Sequence, residues 1–168
     1  EEQFDSNVWV VKLDSSGNGT MEKAYGGTYD EKGCDVIELS GEYIVCGWSE
    51  SFSAASDGWA FRIDSTGTIQ WERAFDNTDN DYLYSLALLD NGYVVLAGEL
   101  YDSVNATMDA MLVEIDPDDA TVIWQKQMGG TSDDGASSIA ATNDGGFIFA
   151  GYTNSFGSGG CDIWVVKM

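Results

Sequence analysis

The chain contains no histidine and a single proline, and only seven of its 168 residues are Lys or Arg. The missing histidine removes the Ser–His–Asp and Cys–His catalytic arrangements and every imidazole-ligated metal site. Seven cations against 29 Asp and Glu leave a net charge of −22. Such a chain offers no basic surface to nucleic-acid phosphate or to an anionic membrane. No apolar run approaches the roughly 18 residues that a spanning helix requires, so membrane insertion is not expected. What is abundant points to a packed, turn-rich β protein of one domain: 20 glycines, 43% apolar residues and 21 aromatics. Asp outnumbers Glu 19 to 10 and clusters beside Gly, Ser and Asn, as in DSSGN, DSTGT and NDGG. A short carboxylate bonds to nearby backbone N–H groups there, which makes most of these residues turn formers. The functional alternative is divalent-cation binding, or solubility in a crowded or saline exterior.

The chain also repeats itself. NVWVVKLDSSGN (7–18) returns as DGWAFRIDSTGT (57–68), as DAMLVEIDPDDA (109–120), and begins again as DIWVVKM (162–168). Trp9, Trp59, Met111 and Trp164 share one position, at spacings of 50, 52 and 53. Such a period marks stacked or radially arranged units, none able to bury its apolar face alone. The array spans 1–168, with repeats over 7–56, 57–108 and 109–161 and the start of a fourth at 162–168.

Within a repeat, Trp9, Val11 and Leu13 alternate with Val10, Lys12 and Asp14, the period-two pattern of a strand with one drier face. A turn leads to a second strand at 20–25, 69–75 and 122–128. Two further strands, at 85–89 or 137–141 and then 43–48, 93–98 or 147–151, are nearly continuous apolar runs. They read as strands buried on both faces. The expected fold is all-β, with four-stranded antiparallel meanders of the kind that form β-propeller blades, three repeats plus one extra strand. In such a meander the tight turns gather at one end. The longer loops, carrying Tyr29, Asp30, Phe52, Asp79, Asp81, Tyr101, Asp133, Asp134, Tyr152 and Phe156, gather at the other, where a ligand would bind.

The motifs W-V-V-K-[LM]-D, G-G-T-x-x-D and D-G-G-[YF]-I-x-A-G-Y-T-N-S-F-G resemble the tandem, roughly 50-residue β-propeller repeats of microbial secreted and cell-surface proteins, themselves similar to kelch-type blades. Residues 129–168 match most closely, through Gly129, Gly130, Asp133, Asp144, Gly145, Gly146, Gly151, Tyr152, Asn154, Ser155 and Phe156. The pattern departs at 76–78, where Asp-Asn-Thr replaces Gly-Gly-Thr, and at 116–120, where the turn glycine is missing. The resemblance implies a propeller at the cell exterior, in proteins of mostly unassigned role; it does not imply a catalytic activity.

Closed propellers have about 4–8 blades. Three repeats with equivalent strands at both ends therefore imply either part of a longer propeller or assembly with other copies, as a six-bladed ring or a filament. The edge strands, with Trp9, Val11, Leu13, Trp164 and Val166, would carry that assembly by main-chain pairing. The reading is a non-catalytic structural or adhesive protein. A glycan- or calcium-binding module on the long-loop face is the alternative, and a carboxylate glycosidase a third. Calcium candidates are Asp76, Asp79, Asp81, Asp133 and Asp134, since hard cations collect several oxygens. No other cofactor is expected. Cys34 and Cys46 flank a hairpin turn at 40–42 and could face each other as a disulfide or stand as buried thiols, while Cys161 is the odd one. Asn18 and Asn105 head N-x-Thr glycosylation sites. The tryptophan row at 9, 59 and 164 is expected to pack between repeats.

Overall fold

The computed structural model describes residues 6–75 and 79–168. These contain thirteen strands and no helix. In chain order the strands are β1 (Val8–Leu13), β2 (Gly19–Tyr25), β3 (Glu31–Leu39), β4 (Glu42–Ser49), β5 (Asp57–Ile63), β6 (Ile69–Phe75), β7 (Tyr82–Leu88), β8 (Val94–Asp102), β9 (Thr107–Ile115), β10 (Val122–Met128), β11 (Asp134–Ala141), β12 (Phe147–Thr153) and β13 (Asp162–Lys167). They form four antiparallel meander sheets: I (β1–β2), II (β3–β6), III (β7–β10) and IV (β11–β13). The alternating strand of the repeat appears four times, as β1, β5, β9 and β13. Sheet I therefore holds only the third and fourth strands of a repeat, and sheet IV only the first three.

Local chemistry sets the turns. Asp14 Oδ1 accepts the N–H groups of Ser16 and Asn18, and Asp64 Oδ1 those of Thr66 and Thr68. Gly17 and Gly67 supply the positive φ that closes each turn. At 116–121, where glycine is missing, Ala120 takes the left-handed conformation instead, with φ 59°. The first strand of every complete hairpin carries a bulge, between Gly33 and Asp35, Leu83 and Ser85, and Ala136 and Ser138. Opposite it stands Gly47, Gly98 or Gly151, where a Cβ would land on the carbonyl of Lys32, Tyr82 or Gly135.

Consecutive sheets pack face to face through three apolar clusters. Val8 and Tyr25 of sheet I meet Val45, Trp59, Phe61 and Ile63 of sheet II. Ile44, Cys46 and Ala60 on the other side of sheet II meet Leu96, Met111, Val113 and Ile115 of sheet III. Val95, Ala97, Ala110 and Leu112 of sheet III then meet Phe147 and Phe149 of sheet IV, with Trp164 and Val166 half-buried against them. At about 1.5–3 kcal/mol for each fully buried large apolar side chain, these clusters are the main source of stability.

Polar links tie the same junctions. Lys23 Nζ and Tyr25 Oη of sheet I donate to Gly67 O of sheet II. Arg62 reaches from Glu42 to Pro117 O and Asp118 of sheet III, while Trp71 Nε1 donates to Pro117 O and Arg73 to Ala120 O. Asp35 accepts Ser85 Oγ and the Leu86 N–H, and Ser85 Oγ in turn accepts the Ile139 N–H.

Two expectations need correction. Strands β5 and β9, expected among the more exposed, are buried on both faces like β4 and β8. Of the first strands expected to be doubly buried, 85–89 is buried at Ser85, Leu86, Ala87 and Leu89, because β7 packs against sheet II on one side and sheet IV on the other, whereas 137–141 is buried only at Ile139, because β11 packs against sheet III alone. The tryptophan row also divides: Trp59 is 2% exposed in the II–I junction, whereas Trp9 is 65% exposed because no sheet covers that side of sheet I.

Candidate functional site

The turns β1–β2, β3–β4, β5–β6, β7–β8, β9–β10 and β11–β12 lie at one end of the strands and the other connections, of which 50–56 and 154–161 are the longest, at the opposite end, as antiparallel order requires. At the long-loop end a carboxylate opens the first strand of each of sheets II to IV: Glu31, Asp81 and Asp134, all buried. They act as loop caps. Glu31 accepts Ser49 Oγ at 2.8 Å and the Gly27 N–H at 3.1 Å; Asp81 accepts the Tyr101 N–H; Asp134 accepts the Gly130 N–H at 2.8 Å and Ser155 Oγ at 2.6 Å. Burial opposes ionisation of Asp134, but the Ser155 and Thr153 hydroxyls and two N–H groups outweigh it and hold its carboxyl below the usual range.

Asp109, at the start of β9, faces Asp134 across the III–IV junction, and a Cβ on Gly129 would strike both. Gln127 Nε2 donates to Asp109 Oδ2 at 2.7 Å, while Oδ1 is buried without a hydrogen bond. Burial raises the Asp109 pKa. The Gln127 bond works against this, and the charges of Asp102, Asp134 and Asp133 add to it.

The calcium candidates do not come together as a set. Asp76 lies outside the described residues. Asp79 and Asp81 belong to the II–III junction and Asp133 and Asp134 to the III–IV junction. Asp133 Oδ1 is taken by the Met108 N–H. Among the described residues no three carboxylates or thiols converge as a metal-ligand group. Of the aromatic loop residues, Phe52 leans on Trp59 and Phe156 on Trp164, and Tyr29 is exposed. Asp30 accepts the N–H and Oγ of Ser6.

One cluster escaped the sequence reading. Glu99 of β8 is buried, and Tyr84 Oη donates to it at 3.2 Å, with Tyr152 hydrogen-bonded to the same carboxylate. Burial raises the Glu99 pKa. The two phenols lower it in part, and Asp133 raises it further. The signal lay in the alignment of repeats: Glu99 fills a slot that holds Trp48 and Tyr152 elsewhere. The bulge in β7 supplies Tyr84, which no strand pattern announces.

All three cysteines are free thiols. The bulge sets Cys46 opposite Asp35 and leaves Cys34 out of register, so the two do not face each other as a cross-strand pair. Burial pushes the Cys46 thiol well up. Asn18 and Asn105 are both exposed in turns; Asn18 donates to Asp14, and Asn105 to Asp102 and Gly130 O.

Both ends of the sheet stack expose apolar side chains. On sheet I, Trp9, Val11 and Leu13 form an exposed apolar face. Among the described residues the edge of β1 away from β2 is unpaired, and it borders a groove of about 450 Å³ between Asn7–Val11 and Glu31–Val36. On sheet IV, β13 pairs, among the described residues, with β12 alone. Trp164 and Val166, expected at an assembly surface, instead face sheet III. The exposed side chains of β13 are Ile163, at 87%, and Val165. No family model and no curated protein matches the chain.

Proposed function

We propose that this is a non-catalytic structural or adhesive protein of the cell exterior, built of β-propeller-type blades and acting through blade–blade assembly. Each of sheets II and III is one blade, and sheets I and IV are partial blades. The observation that carries the reading is a stack of equivalent sheets left open at both ends, each end presenting apolar side chains and an unpaired strand edge. Monomeric proteins rarely expose large contiguous apolar patches, and unpaired edges recruit further strands. Four-stranded meanders packed face to face at a period near 50 residues support the blade assignment. Exposed Asn18 and Asn105 and the high acidity support the exterior. The conspicuous carboxylates support a structural role, because Glu31, Asp81 and Asp134 bond to the backbone or hydroxyls of their own loops.

Light scattering on the purified chain, followed by electron microscopy of the same sample, tests this. A defined ring or a fibre is the expected outcome. A folded species of one chain mass at every concentration would remove the assembly reading.

A further inference from the structure

We infer that the Trp9–Val11–Leu13 face of sheet I and the Ile163–Val165 face of sheet IV are the two halves of one interface, and that a second copy of this chain joins them head to tail. The inference rests on the assembly reading above and names the surfaces that would perform it.

The molecule itself contains this interface three times. At each junction the third strand of the later sheet presents its tryptophan-register face to the earlier sheet. Trp59, Phe61 and Ile63 lie against sheet I; Met111, Val113 and Ile115 against sheet II; Trp164 and Val166 against sheet III. The receiving surface is equally regular. It is made by the opposite phase of the earlier sheet's third strand, Val8 and Val10 in sheet I, Ala60 in sheet II, Ala110 and Leu112 in sheet III. In sheets II and III the strand before it contributes Ile44 and Cys46, then Val95 and Ala97.

Two members of these series are left uncovered. Among the described residues no sheet lies on Trp9, Val11 and Leu13, the presenting face of sheet I, and none lies on Ile163 and Val165, with Ile148 and Ala150 beside them, the receiving face of sheet IV. A shallow depression of about 170 Å³, bordered by Ser138, Ala140, Ile148 and Val165, marks that surface. The contrast in exposure is large: Trp9 65% against 2% for Trp59, and Ile163 87% against 0% for Ala110. What covers each face elsewhere in the molecule is a copy of the other.

The rim charge agrees. At two of the three internal junctions the position of Lys167 holds a cation: Lys12 lies over the Tyr43 ring of the next sheet and Arg62 reaches Pro117 O and Asp118 in the next sheet's turn, while in sheet III the position is Glu114, bonded to Trp124 of its own sheet. Lys167 projects from the receiving end, where it pairs with Asp144 at 3.0 Å and donates to Met168 O at 2.7 Å, both within its own sheet. The matching turn of an incoming copy is 14–17, headed by Asp14, in a molecule where cations are scarce. Because the two faces differ, the contact is heterologous, so copies close into a ring or continue as a fibre.

The test uses the full chain in about 0.5 M salt, which shortens the range of its self-repulsion. Trp9→Asp blocks the presenting face and Ile163→Asp the receiving face; both side chains are exposed in the single chain, so circular dichroism, and Tm at dilutions where the parent is also a single chain, should match the parent. Sedimentation velocity should show the parent assembling and each variant weakened by about 30-fold or more, as for loss of an interface anchor. An equimolar mixture of the two variants should restore a complex of two chains and no larger, since each retains the face the other has lost. If the parent assembles and both variants assemble equally well, the pairing is wrong while assembly through strand edges survives. If the variants are blocked but their mixture stays monomeric, the contact is not head to tail and the inference falls. A parent that remains monomeric at about 1 mM overturns both readings and leaves the two faces to further sheets of a longer propeller chain.

Discussion

Asp109 and Asp134 show how similar acids acquire opposite behaviour within one junction. Asp134 keeps its charge because hydroxyls and N–H groups converge on it. Asp109 has one donor, Gln127, and three neighbouring negative charges. A carboxyl whose folded pKa is raised takes up a proton on folding, between its unfolded value near 3.9 and the higher folded one. Its charge therefore costs stability at neutral pH, and the cost disappears as pH falls below the unfolded value. Asp109→Asn retains the acceptor for Gln127 and removes the charge. It should raise stability at pH 7 by about 1 kcal/mol, a Tm gain of roughly 2–4 °C for a chain of this size. Thermal melts from pH 7 down to about pH 3.5 should show the gain shrinking. A variant less stable than the parent at pH 7 would mean that the charge has a partner. None of this was legible in the sequence, where both acids belong to equally ordinary loop strings; the distinction arises only when β9 and β11 are brought together.

At the level of single strands, the repeat was readable because its alternation is strict, and β2, β6 and β10 lie where their patterns end. Burial was not readable in the same way. WVVKL and WAFRI carry the same pattern, yet β5 is buried on both faces and β1 is half exposed. The pattern reports what a strand can bury, and its neighbours determine what it does bury. The bulge with its opposing glycine is the device that makes each first hairpin. Gly98 sits against the Tyr82 carbonyl, so Gly98→Ala must push the β7–β8 pair apart. It should destabilise by about 3 kcal/mol or more, beyond the ordinary range for a point change. Urea unfolding would show it as a lower midpoint. Gly92→Ala, a turn position open to solvent but at φ 87°, should cost less, about 1 kcal/mol. Equal losses at the two sites would contradict the bulge geometry.

Across the whole molecule, sheets are stacked in a row and each touches only its sequence neighbours through a major cluster. Stability in such an array is approximately a sum of unit and junction terms. Sheets II and III are covered on both sides and sheets I and IV on one. Hydrogen exchange should then be slowest in β4, β5, β8 and β9 and fastest in β1, β2 and β13. Uniform protection across all four sheets would show that the stack opens as a single unit. Assembly through the end faces should slow exchange in β1 and β13 and leave the centre unchanged, which links this measurement to the mixing experiment.

Periodicity alone determined the all-β class, the repeat unit, the phase of its alternating strand and the turn chemistry, because each of these depends on residues close together in the chain. Which acids are loop caps, why Cys34 and Cys46 do not oppose each other, where Glu99 meets two tyrosines, and which face of each end strand is left bare were decided only by tertiary structure. These depend on bulges that shift register by one residue and on whether another sheet lies across a face, and neither is written in the local pattern.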